Sequence, residues 1–498
     1  VVVEDRERFT AFLDGASGRL ATCPVLGLDL LAGIFFPTAS DFRLSTLAPL
    51  IGMDGARDVD VLTAAWEQID RRGRQLSSTV LSCFQQILDE TGETALSDFF
   101  DALAAARSGA AEPPTRAELR HAFADRSVPR PRERPEPSPP AAVDIERVTE
   151  ALGRYGPFAT RMPTYEYREG QVTMARAVCA ALNDAGILLV EAGTGIGKSL
   201  AYLVPAALWA TQNSRPVVVS TNTKNLQAQL FHKDLPAIRE ALNPELQCAL
   251  IKGRLNYLCL RKLIYLLGRA RDELEQRDRL RLLHVLGWAV HTESGDFAES
   301  SILERASAAE LRSRLSSTAE ECPGRACPHR RRCFLRRARA RAQAADVIVA
   351  NHSLVFAEMS IQSPALPEYS AIVLDEAHNI EEAATRHFSV DVSATNLRFA
   401  VRRLWQGDRR RQKRGRGLIP AILQDVHGSG WVGNEALREK VDKQGHAVLN
   451  ALVEAGKASE AFFGALDTFR RDQRGGETVR LTAASTASGG WADVAAAR

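Results

Sequence analysis

One stretch limits the folds open to this chain more than any other: an apolar run, ILLV (187–190), then AGTGIGKS (192–199), then the helical SLAYLVPAALWA (199–210). A glycine-rich turn between a strand and a helix belongs at the C-terminal edge of a parallel α/β sheet. There the helix N-terminus and free backbone N–H groups hold anions. Glycines at 193, 195 and 197 let the loop curl so that those N–H groups face a phosphate chain. The expected contacts to ATP run through Ala192, Gly193, Thr194, Gly195, Ile196 and Gly197, with Lys198 on the β- and γ-phosphates and the Ser199 hydroxyl on Mg²⁺.

A second apolar run ends in acid. In AIVLDEAH (371–378) the expected strand places Asp375 and Glu376 at the same sheet edge. Asp375 suits Mg²⁺, directly or through water, and Glu376 suits orienting and deprotonating an attacking water. His378 is expected to couple nucleotide state to neighbouring motifs. Upstream, YEYREGQ (165–171) sets Arg168 and Gln171 three residues apart before the amphipathic MARAVCAAL, a pair suited to hydrogen-bonding adenine. STNTKNLQAQLFHKDLP (220–236) follows another strand candidate and offers Thr, Asn and Lys groups to a nucleic acid backbone.

Between the loop and the DEAH box lie four cysteines. Cys322, Cys327 and Cys333 are five and six residues apart, and Cys259 closes KGRLNYLC. Zinc sites use pairs two to four residues apart, so this spacing argues against a zinc ribbon. Four thiolates suit a 4Fe–4S cluster, and Arg325, His329 and Arg330 to Arg332 favour their deprotonated form. Cys23, Cys83, Cys179 and Cys248 stand in apolar surroundings and read as packing residues.

The chain of 498 residues has room for several domains, and eight cysteines in that length point to a reducing compartment rather than a disulfide framework. Its longest apolar runs are too short to span a bilayer. Net charge is only +3, but eight arginines fall between Arg325 and Arg341 and eight Lys or Arg between Arg402 and Arg416. Local charge of that density is what a phosphate backbone senses. Six prolines within SVPRPRERPEPSPP (127–140) mark a semi-rigid linker. After it, strand candidates at 187–190, 217–220, 347–350 and 372–374 alternate with helices, as in a parallel sheet. The opening VVVEDRERF and the closing GGWADVAAAR read as the ends of an internal fragment.

The order Arg168/Gln171, AGTGIGKS, STNTKNLQ, KGRLNYLC, three clustered cysteines, ANHSLV and VLDEAH resembles the iron–sulfur helicases of superfamily 2, the XPD-like group, and most closely its bacterial DinG members. The resemblance covers roughly residues 144–498. It implies an α/β, RecA-like parallel-sheet P-loop motor domain (144–257 and 346–385), interrupted by a helical iron–sulfur domain (258–345) and followed by a truncated helical Arch domain (386–498). It also implies a 5′-to-3′ DNA helicase using ATP, Mg²⁺ and a 4Fe–4S cluster, with Cys259, Cys322, Cys327 and Cys333 as cluster ligands. Lys198, Asp375 and Glu376 would carry the hydrolysis. The expected partners are single-stranded DNA, forked or DNA–RNA hybrid duplexes, and repair or replication proteins. The expected setting is cytoplasmic, monomeric and away from membranes.

The amino-terminal block (1–110), joined by the linker (111–143), resembles the back half of a DnaQ-type 3′-to-5′ exonuclease, an α/β ribonuclease-H-like fold, through LGLDLLAGIFFPTASDFRLSTLAPLIG and DVDVL. That chemistry needs four carboxylates on two metals and a general-base His. Phe9 and Met53 fall where the second Asp and the His belong, and only Asp58 remains, so the block is expected to be inactive. QKRGR (412–416) imitates the start of the late arginine-finger motif QxxGRxxR, but Ile419 takes the final Arg position. The second motor domain is therefore expected outside this chain. Two other readings compete with the helicase: a redox-sensing, nucleic-acid-binding ATPase and a helicase-linked exonuclease.

Overall fold

The structure, a computed structural model, describes residues 2–3, 26–89, 91, 93–106, 123, 139–162, 164–193, 195–360, 366–388, 392–405, 417–428, 434–472, 481, 486 and 489–496. Two compact units divide the chain, Val1–Phe388 and Ser389–Arg498. Phe9, Cys23, Thr194, the QKRGR segment and most of the proline-rich linker lie outside the described residues.

The first unit opens with a two-residue parallel pair, β1 (Val2–Val3) and β2 (Leu26–Gly27). Helices follow: α1 (Leu28–Phe35), α2 (Leu44–Leu50), α3 (Asp58–Gln75), α4 (Ser78–Leu88) and α5 (Thr94–Ala105). Ser77 caps α4 by accepting from the Val80 N–H. On α3 the buried positions Val61, Ala65, Ile69 and Gly73 recur every four residues, which turns one stripe of an otherwise polar helix inward. Phe100 of α5 stacks on Phe35 of α1 and on Phe84 of α4.

After the linker come α6 (Ile145–Ala151), α7 (Glu169–Asn183) and α8 (Lys198–Asn213). They pack on a four-stranded parallel sheet of β3 (Val217–Thr221), β4 (Cys248–Leu250), β5 (Val347–Asn351) and β6 (Ala371–Leu374), in the order β4–β5–β3–β6. Val217, Val219, Val347 and Val349 face the α7–α8 core, while Val218, Ile348 and Ala350 face a second cluster with Leu354 and Val355. Apolar residues therefore run continuously over 217–219 of β3 and 347–350 of β5, as helices on both faces require.

Between β4 and β5 the chain forms α10 (Leu260–Leu267), α11 (Gln276–His291), α12 (Ala309–Leu315) and α13 (Phe334–Ala344), while α9 (Lys224–Gln229) follows β3. These inserted helices share one hydrophobic core with α1 to α5. Gly287 of α11 lies directly against the backbone of Ile34 in α1, and the His284 ring faces the Leu30 carbonyl at 3.1 Å. The unit ends with α14 (His352–Ser360) and α15 (Ile380–Phe388).

The second unit is helical in its described residues: α16 (Ala394–Leu404), α17 (Leu418–His427), the 38-residue α18 (Glu435–Asp472) and α19 (Gly489–Ala496). Phe469 and Trp491 meet edge to face at 5.3 Å. No described helix is long and apolar enough to cross a membrane.

The sequence reading of strands needs two corrections. Three of its four candidates become β3, β5 and β6, but residues 187–190 form no strand. Ile187 is 98% and Leu189 90% exposed, so this run has no paired neighbour, and hydrophobicity alone does not make a strand. β4, only three residues long, was not among the candidates.

Candidate functional site

The loop before α8 turns on two glycines in the left-handed region, Gly195 (φ 84°) and Gly197 (φ 85°). A Cβ at Gly197 would strike the Gln171 amide nitrogen, which donates to the Gly197 carbonyl at 2.9 Å. Gln171 is buried, and its amide oxygen faces the Tyr165 hydroxyl at 3.1 Å, so this side chain holds the loop from behind. Arg168 is exposed and paired with Glu166 at 2.8 Å. Lys198 and Ser199 open α8, which is buried from Ala201 to Ala210 and so rigidly placed.

Opposite stand the acids that follow β6. Lys198 Nζ lies 3.5 Å from Glu376 Oε1, with both side chains about one-third exposed. The Tyr202 hydroxyl donates to Asp375 Oδ2 at 3.2 Å. Burial, and then the neighbouring Glu376 charge, raise the Asp375 carboxyl above its usual range against the opposing Tyr202 hydrogen bond. Glu376 itself is left-handed (φ 53°, ψ 47°), a conformation that costs a residue with a Cβ about 1–2 kcal/mol. His378 is mostly exposed, with Nδ1 3.5 Å from Glu376 Oε2.

Four further residues of this site lie inside motifs the sequence offers, but the sequence gives them no role in it. Asp234 ends a single π-helical turn, Leu230–Asp234, and accepts a hydrogen bond from Ser199. Its Oδ2 is buried without a hydrogen-bond partner among the described residues, and burial raises its carboxyl above the usual range. Tyr202 stands one helical turn beyond Lys198, a spacing that would have revealed it. Ser220 and His352 form the third and fourth: Ser220 Oγ lies 2.8 Å from His352 Nδ1, and His352 Nε2 lies 3.0 Å from the Asp375 carbonyl. Only the fold brings these two together. An acid on Ser199 with one unpartnered oxygen, a lysine and two further carboxylates form a donor set that fits a magnesium-bound triphosphate.

Asn222, Thr223 and Lys224 are exposed just beyond the end of β3, and Thr223 caps α9 by accepting from the Leu226 N–H at 3.2 Å. They share the sheet's C-terminal edge with the acids.

The cysteines gather from separate points of the insertion. Cys333 is close enough to Cys259, Cys327 and Cys322 for their charges to raise its pKa, although burial is the larger cause. Burial also raises Cys327. At Cys322 burial is outweighed by hydrogen bonds from the Gly324 backbone and Arg254, with the charges of Arg254 and Arg261, so its thiol falls below the ordinary value. All four thiols are free. Among the described residues no three His, Cys, Asp or Glu side chains sit close enough to hold a metal ion. Arg325, Arg330 and Arg331 are exposed around the four thiols. Burial pushes Cys83 and Cys248 up to about 12, in keeping with inert packing thiols. In the amino-terminal block Asp58 is exposed at the start of α3 and Met53 packs against the shared core.

Residues 300–397 match the DEAD_2 family model. The chain is 38% identical over 261 residues to a protein of Haemophilus influenzae named ATP-dependent DNA helicase YoaA, covering 51% of this chain and 40% of that one. It is 39% identical to the ATP-dependent helicase DinG of Mycobacterium tuberculosis, covering 48% and 38%. It is 33% identical to the 3′-5′ exonuclease DinG of Bacillus subtilis, covering 49% and 26%. The chain thus spans at most about two-fifths of the length of these curated relatives.

Proposed function

We propose that this DinG-type chain carries the ATP-hydrolysing part of a DNA helicase that moves 5′ to 3′ on single strands. The observation that carries the reading is the juxtaposition of the Lys198 loop with the acids after β6, Nζ to Oε1 3.5 Å, at the C-terminal edge of a parallel sheet. In this reading the loop N–H groups and Lys198 bind the phosphates. Ser199 and Asp375 would hold Mg²⁺, which would supply charge neutralisation at the phosphates, and Asp234 would fix the Ser199 hydroxyl. Glu376, released from Lys198 when phosphates take the lysine, orients the attacking water and accepts its proton. Arg168, exposed and paired with Glu166, would leave that partner to reach the base. Cys259, Cys322, Cys327 and Cys333 would hold a 4Fe–4S cluster, and the arginines around it, with Asn222, Thr223 and Lys224, would follow the DNA backbone.

The test is ATP hydrolysis by the full-length protein with and without single-stranded DNA. The reading predicts strong stimulation that Lys198→Ala and Glu376→Gln both abolish. Hydrolysis indifferent to DNA, with DNA affinity that instead follows oxidation of the protein, would replace it with a redox-sensing ATPase.

A further inference from the structure

Ser220 in β3, His352 just after β5 and Asp375 just after β6 close a ring at the DEAH acids. The Asp375 N–H donates to the Ser220 carbonyl at 2.8 Å. Ser220 Oγ lies 2.8 Å from His352 Nδ1, and His352 Nε2 lies 3.0 Å from the Asp375 carbonyl. Ser220 and His352 are both essentially inaccessible, at 0% and 1% exposure. A carbonyl oxygen only accepts, so Nε2 must carry the proton, Nδ1 must accept, and the Ser220 hydroxyl must donate. Every polar atom of the ring is then satisfied with one neutral tautomer, and no other neutral arrangement does this.

The Asp375 carbonyl belongs to the peptide that leads into Glu376, which sits in the left-handed region (φ 53°). A hydrogen bond that fixes this peptide plane fixes where the Glu376 carboxylate points. At its other side the ring grips Ser220, two residues before the exposed Asn222–Thr223–Lys224 run. We infer that His352 is a positioning residue that locks the Asp375–Glu376 peptide to the end of β3, so that a nucleic acid strand pressing on that end alters the aim of the hydrolytic carboxylate. The inference rests on the helicase reading above for its consequence, though not for the ring itself.

Two measurements test it in the full-length protein. Steady-state hydrolysis compares His352→Leu, which keeps the volume but removes both hydrogen bonds, with His352→Gln, whose amide still donates toward the Asp375 carbonyl. His352→Leu is expected to lower DNA-stimulated kcat by about tenfold to a hundredfold with KM for ATP changed less than about twofold, because the buried hydrogen bond that holds the Asp375 carbonyl is lost with its partner on Ser220 while the phosphate loop is untouched. His352→Gln should recover most of that loss. Equal loss in both variants, or a loss confined to KM, overturns the positioning role. Selective ¹⁵N labelling of histidine imidazoles reads the ring independently of activity. The resonance removed by His352→Gln should belong to an Nε2–H tautomer with a slowly exchanging proton, and Ser220→Ala should shift its bare Nδ1 signal. An Nδ1–H tautomer, or no response to Ser220→Ala, contradicts the ring. Wild-type protein without ATPase activity but with the expected imidazole signature would refute the helicase reading and leave the ring standing.

Discussion

Gly287→Ala probes the core shared by the amino-terminal helices and the cysteine-bearing insertion. Glycine is a poor helix residue, and replacing it by alanine in an exposed helix interior gains about 1 kcal/mol. At 287 that gain meets an obstacle: the new Cβ would stand 2.3 Å from the Ile34 carbonyl oxygen and 2.8 Å from its Cγ2. An ordinary contact needs about 1 Å more, and a backbone oxygen has no rotamer by which to withdraw. Helix α1 must therefore shift, loosening Leu28, Leu31 and Phe35, all fully or almost fully buried. Overpacking of this kind costs about 3 kcal/mol at the upper end of its range, so the net effect is a destabilisation of about 2 kcal/mol. The control is Gly456→Ala in α18, where nothing lies within 4 Å of the added Cβ and a gain of up to about 1 kcal/mol is expected. Thermal unfolding gives the sign for each variant, and hydrogen exchange shows where protection is lost. Gly287→Ala should speed exchange in residues 28–36 and 276–291 together. If it stabilises as Gly456→Ala does, with exchange in α1 unchanged, the shared core is wrong.

Acid should weaken the same contact. Burial holds the His284 imidazole down to about 4, below its ordinary 6.5, so the unfolded chain binds the proton more readily and stability falls as pH drops from 6.5 toward 4. Denaturation midpoints should lose about 2 kcal/mol of stability between pH 7 and pH 5, and His284→Gln should flatten that dependence; a flat wild-type profile contradicts the burial. Anaerobically purified protein should hold iron and sulfide in near-equal amounts with little zinc, and Cys327→Ser should lose both; stoichiometric zinc in place of iron would rule out the cluster. Single-stranded DNA affinity should fall with salt at a log–log slope of roughly −0.7 per phosphate contacted, and reversing Arg330, Arg331 and Arg332 to Glu should flatten it. An unchanged slope would mean these arginines are an ordinary solvated surface.

Local rules made part of this architecture legible. The glycines before α8, the acids after β6 and the valine-rich β3 and β5 are each set by a few adjacent residues, and the structure has them at one sheet edge. Gln171 is expected to hydrogen-bond adenine, and its buried amide is engaged with the Gly197 carbonyl, a contact the motif does not disclose. Residues 187–190 look like a strand by composition yet remain exposed, because pairing depends on a neighbour that periodicity does not supply. Asp234 and His352 were hidden for a related reason. Asp234 acts through a π-helical turn, and His352 meets Ser220 across 132 residues of sequence. The union of the amino-terminal helices with the insertion was equally invisible, since an amphipathic stripe shows that a face is buried but not against what.

The most direct test of the account is strand displacement by the full-length protein on duplexes bearing a single-stranded tail at one end. With Mg²⁺ and ATP, a 5′-tailed duplex should open and a 3′-tailed one should stay closed. Glu376→Gln should bind the 5′-tailed duplex as tightly as the wild type and open none of it. ATP-independent opening, opening of the 3′-tailed duplex alone, or full activity in Glu376→Gln would contradict a 5′-to-3′ motor driven by the Lys198–Glu376 site.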